Sequence, residues 1–317
     1  MLGIGLFGVG NAADEITTIE TPLALNRQGM LTTAQFPRDA WDVYVYYSAV
    51  VEDGNYRMLY TAYSDATTLG PAIATSTDMI TWAKPVVGQV NFGGNTNNNL
   101  VVIHADHYAH DLRLIDGVYY ILIESNTSAL LYSSTDGLDF TNYVGKPIDK
   151  FVHETAHGGV TCEPKTLLNI DGVFRVYYSE GHTAQRRSIG YYECATIDGV
   201  YVDKGLIPSL TSTDQDVQYY DIQIWESAGK VWACIPLYNK TTEELGPLML
   251  YKSHDSGITW AYHGNILEQS VSGEWDDELI AVGRPLLIDG TWKMIYVGSD
   301  TGHNFQPSNL NFGLATL

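Results

Sequence analysis

Five turn glycines, Gly54, Gly117, Gly172, Gly229 and Gly290, recur through the chain at a spacing of roughly 55 to 63 residues, the signature of a repeat architecture. Each sits between two apolar or aromatic runs: SAVVEDGNYRMLY (48–60), DLRLIDGVYYILI (111–123), EPKTLLNIDGVFRVYY (163–178), DIQIWESAGKVWACI (221–235) and RPLLIDGTWKMIY (284–296). Asp-Gly between such runs signals a tight hairpin, because both central turn positions require positive φ. A second phrase follows downstream: IATSTDMITW (73–82), LYSSTDGLDF (131–140), GYYECATIDGVY (190–201) and LYKSHDSGITW (250–260). It reads as a strand, a Ser/Thr/Asp turn and an aromatic opening another strand. Four strands per repeat and five repeats predict an all-β, five-bladed β-propeller. A β-sandwich with regularly spaced turns would not require two independent phrases to keep one phase.

The repeats fill residues 15–317, which reads as one propeller domain preceded by an apolar, Gly-rich segment, 1–14. Residues 15–25 resemble the outer strands downstream, and NFGLATL (311–317) resembles a third strand that then stops. The N-terminal strand is therefore expected to complete the last blade and leave no open edge. Gly3 to Gly8 satisfies the dinucleotide fingerprint only literally, since no strand precedes it. The same segment resembles a signal peptide without the positive n-region. Residues 1–12 are instead expected to dock onto a protein partner or a second copy. No 18-residue apolar run is present, so no membrane span is expected. With 17 Lys+Arg against 37 Asp+Glu and a net charge of −20, binding nucleic acid by phosphate neutralisation is excluded as a main activity. Three cysteines without a close pair read as buried small hydrophobes.

In a propeller the first strand of each blade lines the axis. Aligning the repeats on the residue before the apolar run gives a ring at one channel mouth: Ser48, Asp111, Glu163, Asp221 and Arg284. Three carboxylates and a guanidinium converging from separate blades exceed what packing needs; the competing reading is that Arg284 ion-pairs with Asp221 or Glu163 and ties blades together. The repeat resembles the five-bladed propeller glycoside hydrolases, the group of arabinanases, β-xylosidases, invertases and levansucrases. His110-Asp111-Leu112 is similar to that group's Arg-Asp-Pro element, and Cys162-Glu163-Pro164 to its Glu-Cys-Pro or Glu-Gly-Pro element. The resemblance implies Glu163 as general acid and Asp111 as the carboxylate that orients it and binds sugar. Cleavage needs a second carboxyl group across the bond. The repeat register puts Ser48 there, with Asp42 (or Asp39) a few residues earlier as the candidate base or nucleophile. Trp275-Asp276 has the same setting as Trp41-Asp42, which reads as a repeated structural feature.

Asp221, Arg284, His110, His107, His157, Trp41 and Tyr220 are the expected substrate contacts. Tyr108, Tyr219 and Trp225 are further stacking candidates, Trp225 equally a core residue. The histidines, with His104, His153, His182 and His303, read as polar lining on loops, not as a metal site. No cofactor is expected, the one alternative being a central calcium or sodium ion as in some relatives. The expected partner is an oligo- or polysaccharide. Two functions remain open: an acid/base hydrolase of glycosidic bonds, or a non-catalytic glycan-binding or structural protein on the same scaffold. Either fits an extracellular, surface or virion setting, such as a receptor-binding tail fibre.

Overall fold

The computed structural model describes residues 25–39, 42, 44–64, 67–87, 98–101, 107–181, 187–211, 217–219, 221–227, 229–239, 244–268, 270–277, 279–281, 283–299 and 310–317. The strands form five antiparallel sheets in sequence order. Blade I contains β2 (Tyr44–Glu52), β3 (Tyr56–Ser64), β4 (Thr67–Ser76) and β5 (Trp82–Ala83); blade II contains β6 (Tyr108–Ile115), β7 (Val118–Glu124), β8 (Ser128–Ser134) and β9 (Asn142–Asp149). The helix α1 (Lys150–Ala156) leads into blade III, made of β10 (Thr161–Ile170), β11 (Val173–Gly181), β12 (Arg187–Cys194) and β13 (Val202–Leu206). In blade IV the inner strand is split into β14 (Val217–Tyr219) and β15 (Gln223–Ser227), followed by β16 (Lys230–Asn239), β17 (Glu244–Ser253) and β18 (Ala261–Leu267). Blade V splits likewise into β19 (Leu279–Ala281) and β20 (Leu286–Ile288), then β21 (Thr291–Ser299) and β22 (Asn311–Thr316).

Blade V is completed by β1 (Asn26–Met30), which runs antiparallel to β22 with Asn26 opposite Thr316 and Met30 opposite Gly313. The fold class and the closure by an N-terminal strand are as expected. The closing strand begins at Asn26, however; residues 1–14, with the proposed docking tail, and 15–24 lie outside the described residues.

The hairpin turns take the backbone shape that Asp-Gly permits. Asp116, Asp171 and Asp289 have φ of 51°, 53° and 49°, followed by Gly117, Gly172 and Gly290 at 77°, 77° and 76°. Positive φ at both central residues matches the right-handed twist of the flanking strands. The aligned phrases therefore give blades II, III and V the same geometric anchor.

The buried apolar residues fall into five clusters, one at each blade junction. Leu122 of β7 joins Leu167 and Val176 between blades II and III, while its neighbours Ile121 and Ile123 face Ala49 and Leu59 of blade I. Alternation along a strand normally separates a wet face from a dry one; here both faces are dry, because each blade is sandwiched between two others. Cys162 and Cys234 are buried and all three cysteines are free thiols, in keeping with their expected packing role.

Candidate functional site at the channel mouth

The inner strands bring the predicted ring together, but at two depths. Ser48, Asp111 and Arg284 each stand six residues before their turn glycine, whereas Glu163 stands nine before Gly172 and Asp221 eight before Gly229. The true equivalents of Asp111 in blades III and IV are Thr166 and Gln223. At roughly 3.3 Å per residue, Glu163 and Asp221 lie a level nearer the mouth. The inner strands of blades I, II and III shift register just before Ser48, Asp111 and Thr166 alike, which marks these three as the equivalent positions.

The deeper level is a closed ionic cluster. Asp111 has no exposed surface. Its Oδ1 accepts from Arg284 Nη1 at 2.9 Å and from the Leu112 amide at 2.9 Å; its Oδ2 accepts from Arg113 Nε at 2.7 Å, Thr166 Oγ1 at 2.7 Å and the Leu167 amide at 2.8 Å. Arg284 Nη2 donates to the carbonyls of Val50 (2.6 Å) and Leu112 (2.9 Å), and Arg113 Nη2 to Thr166 Oγ1 (2.6 Å) and the carbonyl of Ile224 (2.5 Å). One carboxylate and two guanidiniums thus tie all five blades. Burial, then the like charge of Arg113, lowers the Arg284 pKa to about 9 against the opposing pull of Asp111, which leaves it cationic at neutral pH. Arg284 is 4 % exposed. This corrects the expectation that Arg284 and Asp111 face a ligand: the guanidinium is an inter-blade tie, with Asp111 as its partner instead of Asp221 or Glu163.

The upper level is open on one side. Glu163, near the start of β10, keeps 24 % of its side chain exposed and accepts from Lys165 Nζ at 2.9 Å. Lys165 is wholly buried, and its ammonium also lies 3.9 Å from Asp221 Oδ2. Both carboxylates therefore share one cation. Burial pushes the Asp221 carboxyl up, Lys165 and His110 oppose it, and the charge of Glu163 adds to the rise. Asp221 Oδ2 has no hydrogen-bond partner among the described residues, although Asp221 Oδ1 accepts from the Ile222 amide at 2.6 Å. His110, buried, contacts Glu124 Oε2 through Nε2 at 2.8 Å, and Lys150 Nζ meets Glu124 Oε1 at 2.7 Å. Burial pushes the Glu124 carboxyl up, but the hydrogen bond and charge of His110, with Lys150, bring it below its ordinary value. Gln223 closes the floor by donating to the carbonyls of His110 (3.2 Å) and Lys165 (3.4 Å).

Asp42 lies elsewhere. It is fully buried at the junction of blades V and I, taking the Tyr60 hydroxyl at 2.7 Å, the Asp39 amide at 2.7 Å and an ion pair from Lys84. Burial raises its carboxyl pKa, with Lys84 opposing. Asp276 repeats the arrangement with the Tyr296 hydroxyl at 2.7 Å and Arg27 at 2.8 Å. Both tyrosines stand six residues after their turn glycine, so the shared Trp-Asp setting is a repeated tyrosine–aspartate strut. The expectation of Asp42 as base or nucleophile is corrected on this ground: each of its oxygens is held by the protein, with no exposed surface.

His107 is half-buried just before β6. His157 ends α1, where Glu180 and Asp203 lie against its ring nitrogens; these partners are described below. Trp225 is a core residue, and Tyr108 and Tyr219 pack on core clusters. Trp41, Tyr220, His104, His182 and His303 lie outside the described residues, and nothing is described of the Ser48 side chain. Lys165, Arg113, Glu124 and Lys150 were missed. Lys165 and Arg113 were discoverable, because residues two apart on a strand share a face, which joins each to Glu163 or Asp111.

No protein-family model matches the chain, and no curated protein matches it in sequence. Solved structures match its fold along most of its length. An α-L-arabinofuranosidase from Podospora anserina in complex with cellotriose superposes with a TM-score of 0.63 at 10% identity, covering 94% of this chain and 99% of that one. A GH62 hydrolase in complex with xylotriose gives 0.65 at 11% identity, covering 92% and 97%. A thermostable family-43 glycoside hydrolase gives 0.59 at 13% identity, covering 86% and 88%. The fold is thus the five-bladed propeller of these glycoside hydrolases.

Proposed function

We propose that this chain is an extracellular carbohydrate-binding propeller whose ligand enters at Glu163 and which does not cleave it by paired carboxyl chemistry. The observation that carries the reading is Lys165. A general acid must hold a proton at working pH, and a buried ammonium 2.9 Å from Glu163 favours the carboxylate. Cleavage also needs a second carboxyl group about 5 to 9.5 Å away across the scissile bond. Asp221 is the other carboxylate beside Glu163, and the two share the Lys165 ammonium at 2.9 and 3.9 Å, a cation that favours the ionised form of both. An ionised, partly exposed Glu163 is suited to accepting hydrogen bonds from sugar hydroxyls, as is Asp221 Oδ2 if the ligand reaches it. The propellers solved with cellotriose and xylotriose make β-linked pentose and hexose oligomers the first class to test.

A hydrolase remains the second reading, favoured by the position of Glu163 at the place matching the acid element and by the raised pKa of nearby Asp221. One experiment separates the two. The wild type and Glu163→Gln are compared on arabino-, xylo- and cello-oligosaccharides by calorimetry and by release of reducing ends. Binding in the wild type, weakened about tenfold in the variant, as for the loss of one charge-assisted hydrogen bond, with no reducing ends from either, supports the binder. Reducing-end release abolished in Glu163→Gln establishes the hydrolase instead. Absence of both binding and release defeats the carbohydrate reading.

A further inference from the structure

Helix α1 starts on Asp149, whose side chain accepts from the Val152 amide, and ends at His157. His153 and His157 are four residues apart and so share one helix face; their imidazoles stack at 4.1 Å with planes 15° apart. Facing them is Glu180 of β11. Its Oε2 lies 3.2 Å from His153 Nε2 and 2.9 Å from His157 Nδ1. The other ring nitrogens are occupied: His153 Nδ1 lies 2.9 Å from the Tyr192 hydroxyl and His157 Nε2 2.8 Å from Asp203 Oδ2. Asp203 Oδ2 also lies 3.8 Å from His153 Nδ1, so an N–H on Nδ1 faces two acceptors, this carboxylate and the Tyr192 oxygen.

These partners fix the tautomers. A neutral imidazole has one N–H and one lone pair. With Nδ1–H of His153 and Nε2–H of His157 committed, the lone-pair nitrogens His153 Nε2 and His157 Nδ1 both lie beside one carboxylate oxygen, Glu180 Oε2. His153 Nε2 and Glu180 Oε2 are buried without a hydrogen-bond partner among the described residues. Three acceptors, all within 4.8 Å of one another, repel unless a cation sits among them. A proton on His157 would satisfy one edge and leave His153 orphaned.

We propose that His153, His157 and Glu180 bind one divalent transition-metal ion of the zinc class, with Asp203 and Tyr192 orienting the two imidazoles. Tetrahedral bonds of about 2.0–2.1 Å hold ligand atoms roughly 3.3 Å apart, within a few tenths of an ångström of the two observed edges. A carboxylate or hydroxyl on the far ring nitrogen is the usual support of a metal-bound histidine. Calcium, which takes six or more oxygens, is a poor match for two imidazoles and one carboxylate. His157, with 22 % of its side chain exposed, gives the ion a way in and leaves a fourth position for water. The site lies between α1 and β11 of blade III, distinct from the central calcium or sodium ion that the family resemblance allows. It joins the segment leaving blade II to the second strand of blade III, and it stands independently of the carbohydrate reading.

The full chain is stripped with EDTA and titrated with Zn²⁺ and with Co²⁺ by calorimetry, visible absorption and thermal unfolding. One ion per chain is expected, with a rise in Tm, an intense tetrahedral Co²⁺ spectrum and no response to Ca²⁺. His157→Ala should abolish the cobalt spectrum, while Asp203→Asn should weaken zinc binding about 10- to 100-fold and keep the spectrum. Failure of the wild type to bind either ion at one per chain overturns the proposal on its own. Binding unchanged in both His157→Ala and Glu180→Gln overturns it equally.

Discussion

At the scale of single residues, Asp111 carries more of the fold than any other charged group described. It takes five hydrogen bonds with no exposed surface, so removing its charge leaves Arg113 and Arg284 buried without an anion. Breaking one partner out of a buried ion pair costs about 3–5 kcal/mol. Asp111→Asn is expected to lower the unfolding free energy by that amount, read as a lower urea midpoint at an unchanged slope. A modulator of catalysis would instead spare stability and move a pH–rate profile, so the measurement separates the two roles. Glu163 is the opposite case. It is partly exposed, and Glu163→Gln leaves Asp221 beside the Lys165 ammonium, so its melting temperature should fall by less than that of Asp111→Asn.

In blades I, II and IV, the Ser-x-Asp turns between the third and fourth strands repeat one device. Ser76, Ser134 and Ser253 donate to Asp78, Asp136 and Asp255 at 2.9, 2.7 and 2.9 Å. Each carboxylate also accepts from the amides two or more residues on, as Asp78 does from Ile80 and Thr81 at 2.7 Å each. For Asp136 the backbone amides of Asp139 and Leu138 lower the pKa outright. For Asp78 and Asp255 burial opposes, but the turn amides and hydroxyls prevail and the pKa again falls. A depressed folded-state pKa gives stability that is present above the unfolded value, about 3.9, and is lost as pH falls through the lower, folded one. Tm should therefore drop steeply below about pH 4, and the drop should be shallower in an Asp78→Asn, Asp136→Asn, Asp255→Asn triple variant. An equal acid limb in both proteins would contradict this origin. These turns were legible in the sequence because the hydrogen bonds are local, made within four residues.

For the whole molecule, closure is the governing constraint. β1 pairs with β22 while Arg27 ties it to Asp276, so the first described strand and the last one share blade V. Deleting residues 1–30 would expose the edge of β22, and an unpaired edge invites association with other chains. The expected outcome is a lower Tm and concentration-dependent oligomers by size-exclusion chromatography; a monomer of unchanged Tm would refute it. The sequence by itself determined the number of blades, their hairpins and the idea of a polar axis, since periodicity and turn chemistry act over short stretches of chain. Only the tertiary structure decided which polar groups meet. Glu163 and Asp221 stand above the level of Asp111 and share the Lys165 ammonium, and α1 holds two histidines beside Glu180. The pairs Glu163–Lys165 and His153–His157 are local, but their meetings with Asp221 and with Glu180 join residues far apart in the chain, and no local spacing encodes those.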